Sequence, residues 1–126
     1  PGGLILGLSG GIICYFSVDL IRTKLKIDDS LDVFAVHGVG GILGTLMVSF
    51  LALETFSGAG LAEEMSASSQ FLAQLFGVVL TVVWTLIFTY VALKITSLFT
   101  SLRVDEQEEI EGLDLRSHGE RAYYND

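Results

Sequence analysis

One histidine stands out in this sequence, because it lies inside a long apolar run with glycines close to it. His37 is the only ionisable side chain between Val33 and Leu53. A hydrocarbon environment makes such a side chain costly, so it usually faces a bundle interior, a partner or a water-filled path. Its two ring nitrogens can accept and donate hydrogen bonds. We therefore favour a transport role for His37 over the alternative, a buried histidine bonded to one neighbour.

The residues around His37 predict how the histidine is presented. On a helix, His37 shares a stripe with Val33, Gly40, Gly41 and Gly44, which leaves room for a packed helix or for a narrow lumen. Asp32 precedes His37 by five residues, and this spacing does not place the two side chains on one helical face. We therefore interpret Asp32 as a structural carboxylate or helix cap, with Ser30 as the other candidate cap.

No catalytic or metal-binding pattern accompanies His37 in the sequence. There is no Ser-His-Asp order on adjacent elements, no second histidine in an apolar segment and no paired His/Cys cluster. The single cysteine, Cys14, lies in an apolar run and is interpreted as a small buried hydrophobic residue. We predict no enzymatic activity, no metal and no cofactor.

Three apolar segments predict an all-α fold, a polytopic membrane helix bundle. The chain is 51% hydrophobic, which is too apolar for an ordinary soluble domain of 126 residues. The predicted helices cover about residues 4–21, 33–53 and 71–99, and they form a membrane domain of residues 1–100. Because the connection between the first two helices is short, we expect these two helices to be antiparallel. Gly3, Gly7 and Gly11 recur every four residues, so we expect them to form a close contact between helices.

The distribution of charge orients these segments. Three cations lie between Arg22 and Lys26, after the first segment, whereas residues 54–70 contain no lysine or arginine. The positive-inside rule then predicts an outer N-terminus and a cytoplasmic tail, residues 101–126. Eight of the fifteen carboxylates follow position 104, so the net charge of −8 largely belongs to the tail and argues against a nucleic-acid partner.

Two separated motifs resemble the ammonium transporter family (the Amt/Mep/Rh proteins), and specifically its Amt-type members. The first is the run Asp32-Val33-Phe34-Ala35-Val36-His37-Gly38-Val39-Gly40-Gly41. The second is the tail, with Leu102-Arg103-Val104, Glu111-Gly112-Leu113-Asp114 and Ser117-His118-Gly119-Glu120-Arg121-Ala122-Tyr123. Their order implies the last three transmembrane helices and the cytoplasmic tail of such a protein.

The resemblance implies a fold and a set of site residues. The family fold is an eleven-helix bundle of two inverted repeats that assembles as a homotrimer with one pore per subunit. His37 matches the second member of the histidine pair that lines the pore, and Val33 matches a pore-facing apolar residue. Asp32, Gly38 and Gly41 are expected to be structural residues of the pore helix. The first histidine and the gating aromatic residues would belong to earlier helices.

The resemblance also implies a function and partners. It implies nitrogen uptake by transport of ammonium or ammonia across the inner or plasma membrane. The tail would be regulatory, with Gly112, Asp114, His118 and Tyr123 as its key residues and a PII-type regulatory protein as a cytoplasmic partner. The alternatives are an ammonium sensor built on the same membrane body, a Rh-type gas channel, and a structural membrane subunit in which His37 only packs.

Overall fold

The computed structural model describes residues 1–120, which form helices and no strand. Helix α1 covers Gly2–Asp19 and continues into a π-helical turn at Leu20–Lys24. A second π-helical turn, Phe34–Val39, leads into helix α2 at Gly40–Leu51. A 3-10 turn at Glu54–Phe56 follows, and the remaining elements are helix α3 at Ala67–Thr96, helix α4 at Glu106–Glu111 and a π-helical turn at Asp114–His118.

Three of these helical segments are long and apolar enough to cross a membrane, which confirms the all-α membrane fold class. They cover Gly2–Lys24, Phe34–Leu51 and Ala67–Thr96. The third begins four residues before the predicted position 71. The reason is a cap in which the Ser69 N–H donates to the Ser66 hydroxyl at 3.1 Å and the Ser66 N–H donates to the Ser69 hydroxyl at 3.0 Å. At 1.5 Å per residue, this helix is about 45 Å long, which exceeds the hydrocarbon thickness.

The chain divides into two compact units, Pro1–Val83 and the residues from Trp84 onward. This division falls within α3. The predicted boundary between residues 100 and 101 separates a membrane domain from a tail, and it stays a prediction.

In the first unit, α1 and the second membrane segment pack antiparallel, as the short connection predicts. A Cβ atom added to Gly2 would lie 3.0 Å from the Leu51 carbonyl oxygen, at the end of α2. At the other end of this contact, a Cβ atom added to Gly40 would lie 3.0 Å from the Cys14 sulfur. These two close approaches fix the antiparallel pair.

The glycine stripe of α1 does not form the contact expected of it within this chain. A Cβ atom on Gly3, Gly7 or Gly11 would meet nothing within 4 Å among the described residues. The close approach instead uses Gly2 and Gly40, because these are the glycines that face the neighbouring helix. The three stripe glycines lie on an exposed face of α1.

The start of the second membrane segment is capped by Asp29, and the prediction of Ser30 or Asp32 as the cap was wrong. The Asp29 carboxylate accepts hydrogen bonds from the N–H groups of Val33, Phe34 and Ala35 at 2.8, 2.9 and 3.2 Å. The Ser30 hydroxyl donates to the Asp28 carboxylate instead. Asp32 has a left-handed backbone, with φ of 54°, and its carboxylate pairs with the Arg22 guanidinium at 3.5 Å. The turn therefore leaves Asp29 closest to the free N–H groups.

The Asp29 cap can be tested with its neighbour as the control. Asp29→Ala removes the acceptor of three backbone donors, so we expect the free energy of unfolding to fall by about 1–2 kcal/mol. Asp28→Ala removes only a bond from the Ser30 hydroxyl and is expected to change it by less than about 0.5 kcal/mol. Thermal unfolding in detergent provides the measurement. Equal effects of the two substitutions would show that Asp29 is not the cap.

Ser49 provides a second test of packing in the first unit. Its side chain is fully buried, and its hydroxyl has no hydrogen-bond partner among the described residues. Ser49→Ala removes that unsatisfied group, so we expect stability to stay the same or to rise by about 1 kcal/mol. Ser49→Leu overfills the same site and should lower stability by about 1–3 kcal/mol. Thermal unfolding in detergent distinguishes the two, and a loss of stability in Ser49→Ala would contradict the assignment.

Candidate functional site

His37 lies within the π-helical turn Phe34–Val39, which we call the His37 turn. Its imidazole is exposed on this chain and has no hydrogen bond to another described residue. Val33, directly before the turn, is 51% exposed. Both predicted pore-lining residues are therefore accessible on this chain. His37 lies in a span whose other side chains are uncharged, and Val33 directly precedes that span. π-helical turns are rare, and they occur frequently at functional sites.

The His37 turn changes which glycines share a face with the histidine. A π-helical turn contains more residues than an α-helical turn, so it rotates the residues that follow it relative to a regular helix. Gly40 faces α1, against the Cys14 sulfur, whereas a Cβ atom added to Gly41 or Gly44 would have no neighbour within 4 Å among the described residues. The sequence prediction placed all three glycines in one stripe with His37. The structure separates Gly40 from the other two.

Two side chains that the sequence prediction did not assign to the site, Phe34 and Cys14, contact the residues next to His37. The Phe34 ring lies so close to Gly38 that a Cβ atom there would be 2.8 Å from the ring carbon Cδ2. On the α1 side, the Cys14 thiol donates to the Val36 carbonyl oxygen at 3.8 Å. The four-residue spacing of Phe34 and Gly38 was a usable signal for the first contact. No local sequence pattern indicates the contact between Cys14 and Val36.

A cleft of about 370 Å³ lies between α2 and the first half of α3. Three of its lining side chains are polar, namely Thr45 from α2 and Gln74 and Thr81 from α3. Amide and hydroxyl groups in membrane segments usually hydrogen-bond across helices. Sequence reasoning did not identify this cleft, because its lining residues on α2 and on α3 come together only in the folded chain.

The predicted tail residues lie in the second unit. Gly112 ends α4 with φ of 91°, in a conformation that side-chain-bearing residues rarely adopt. Asp114 and His118 begin and end the last π-helical turn. Tyr123 lies outside the described residues.

Ion pairs within the tail involve most of its acidic helix. The Arg103 guanidinium contacts the Glu109 carboxylate at 2.8 Å, and Arg116 contacts Glu108 at 3.8 Å and Glu111 at 3.4 Å. Each of these pairs is exposed, so each contributes about 0–1 kcal/mol. The described residues contain no cluster of three or more side chains suited to hold a metal ion.

Comparisons with known proteins place nearly the whole chain in one family. The model of the Ammonium Transporter Family matches residues 1–123. Ammonium transporter 1 of Dictyostelium discoideum is 42% identical over 121 residues, which are 95% of this chain and 26% of that protein. Ammonium transporter Amt1 of Archaeoglobus fulgidus is 41% identical over 124 residues, which are 97% of this chain and 31% of that protein.

A third relative, the ammonium transporter of Bacillus subtilis, is 37% identical over 121 residues, which are 95% of this chain and 30% of that protein. The chain thus spans less than a third of the length of these relatives. All three are transport proteins and not enzymes, in agreement with the prediction of no enzymatic activity. Together with its membrane-spanning helices, these matches show that the chain is a multi-pass membrane protein that belongs to the ammonium transporter family.

Proposed function

We propose that this chain is the C-terminal part of an Amt-type transporter that moves ammonium or ammonia across a cell membrane, with His37 lining the path. The observation that carries the proposal is the exposed imidazole of His37 in an otherwise uncharged membrane span. In a membrane protein of this family, such a side chain faces a protein-lined path rather than lipid.

A neutral imidazole can separate ammonium from potassium where pore diameter cannot. The two ions are similar in size, and a dry apolar path imposes a desolvation cost on both. Ammonium can give up a proton and continue as a neutral species that still hydrogen-bonds to a ring nitrogen. Potassium has no such option. Val33, an exposed apolar side chain one turn before His37, would keep that stretch of the path dry.

The proposed whole protein is an eleven-helix bundle of two inverted repeats, assembled as a homotrimer with one pore per subunit. This chain contributes the last three helices, and an earlier helix contributes the first pore histidine. The cations after α1 support a cytoplasmic position for that end and for the tail. Asp32, Gly38 and Gly41 act as structural residues beside the path.

The tail is proposed to regulate transport by docking on the cytoplasmic face, where a PII-type trimer would bind. Its exposed ion pairs and exposed apolar side chains suit a marginal interface that a partner can bias. The positive φ of Gly112 provides the bend between α4 and the last turn. Asp114, His118 and Tyr123 belong to the segment that follows this bend.

Transport by His37 variants of the full-length protein tests the proposed path. In liposomes, His37→Ala should reduce uptake of labelled methylammonium by about tenfold or more. A tenfold reduction corresponds to an increase of about 1.4 kcal/mol in the activation free energy of transport. If methylammonium uptake is retained, the His37→Ala transporter should instead admit potassium. Ser17→Ala is the matched control, because the Ser17 hydroxyl bonds to the Ile13 carbonyl oxygen of its own helix.

Wild-type uptake and selectivity in His37→Ala would contradict the proposed path. Uptake that is absent from the intact protein, with ammonium binding retained, would instead favour a sensor built on the same membrane body.

The tail proposal has its own test. Gly112→Asp places a side chain on a backbone with φ of 91°, so the tail should lose its bend and its coupling to the pore. We expect uptake by this variant, and by a truncation after Ser101, to stop responding to the PII-type protein. Glu106→Gln is the control, since it changes an exposed residue of α4 and leaves the bend intact. An unchanged response in both tail variants would contradict regulation by the tail.

A further inference from the structure

The backbone on both sides of His37 is held by side chains outside the predicted pore set. Phe34 begins the His37 turn, and its ring covers the α-carbon of Gly38, the residue that follows the histidine. Val36, the residue that precedes it, accepts a hydrogen bond from the Cys14 thiol of α1. The two residues on either side of His37 are thus each next to another side chain.

The contact between Phe34 and Gly38 is specific to a glycine at that position. A Cβ atom on Gly38 would lie 2.8 Å from Cδ2 of the ring, which is closer than such atoms approach in proteins, and 3.2 Å from Cε2, which is a tight contact. The ring therefore occupies the place of the missing side chain. A Cβ atom added to Gly44, in the same span, would have no neighbour within 4 Å among the described residues. A side chain at position 38 would thus require the Phe34 ring to move from the place it occupies.

We infer that Phe34 is a positioning residue, which sets the direction of the His37 imidazole through its contact with Gly38 and thereby contributes to selection of ammonium over potassium. This inference rests on the proposed function of His37. The direction of a helical side chain follows the backbone of its own turn, and the ring fixes that backbone one residue after the histidine. A small rotation of the turn would move both ring nitrogens away from the path.

Flux and selectivity of the full-length transporter in liposomes test the inference. Phe34→Ala removes the ring and Gly38→Ala displaces it, so each should lower the ratio of methylammonium to potassium uptake by about tenfold to a hundredfold. Gly10→Ala, which lies in α1 and would place its Cβ atom within 4 Å of no other described residue, should keep the wild-type ratio. The amount of folded trimer in each sample is measured in parallel.

The double variant distinguishes one shared contact from two separate effects. Phe34→Ala and Gly38→Ala disrupt the same contact, so together they should lower the ratio no further than the worse single variant. Losses that multiply would overturn the inference. If Gly38→Ala fails to fold, Phe34→Ala still decides, because it creates no steric clash, and a wild-type ratio in that variant would also overturn the inference.

The His37→Ala variant keeps this test separate from the test of the proposed function. A loss of selectivity in His37→Ala with a wild-type ratio in Phe34→Ala rejects only the role of Phe34. A wild-type ratio in His37→Ala rejects the proposed path itself.

Discussion

The second membrane segment depends on the three hydrogen bonds that the Asp29 carboxylate accepts. The first N–H groups of a helix have no partner within the helix, and an unpaired donor in hydrocarbon costs several kcal/mol. Asp29 satisfies the N–H groups of Val33, Phe34 and Ala35, so the helical segment can begin about one turn before the histidine. His37 consequently lies about one turn inside an apolar span and on a backbone whose start is fixed.

The three spans and His37 were predictable from the sequence, because hydrocarbon tolerates few residue types and makes an ionisable side chain conspicuous. The cap was not. Asp29, Ser30 and Asp32 are all acceptable capping residues within four positions, and the choice among them depends on the left-handed backbone of Asp32 and on its pairing with Arg22. The π-helical turn was also not predictable, since a periodicity of 3.6 residues assumes a regular α-helix.

Glycines that look alike in the sequence have different roles in the structure. Gly40 allows the Cys14 sulfur to approach, and Gly38 accommodates the Phe34 ring, whereas Gly3 and Gly7 have open space where a side chain would be. Spacing identifies which glycines share a face, but it does not identify what faces them. For Gly40 that information lies in the contact between α1 and the second segment, whose residues are more than twenty positions apart along the chain, whereas Gly38 meets a ring four residues away in its own segment. The pore-helix glycines were therefore only partly predictable.

Helix α3 has no buried residue over its thirty positions, and the hydrogen bonds of its backbone are internal to the helix. Such a helix can enter a bilayer as an independent unit, before it packs against anything. Membrane insertion of this part of the chain is thus separate from its lateral association. The polar side chains of the cleft beside α2, Gln74 and Thr81, are of the kind that stabilises association, because amide and hydroxyl groups in membrane segments can hydrogen-bond across helices. Biogenesis would proceed in two stages, with hydropathy governing the first and a few amide and hydroxyl groups guiding the second.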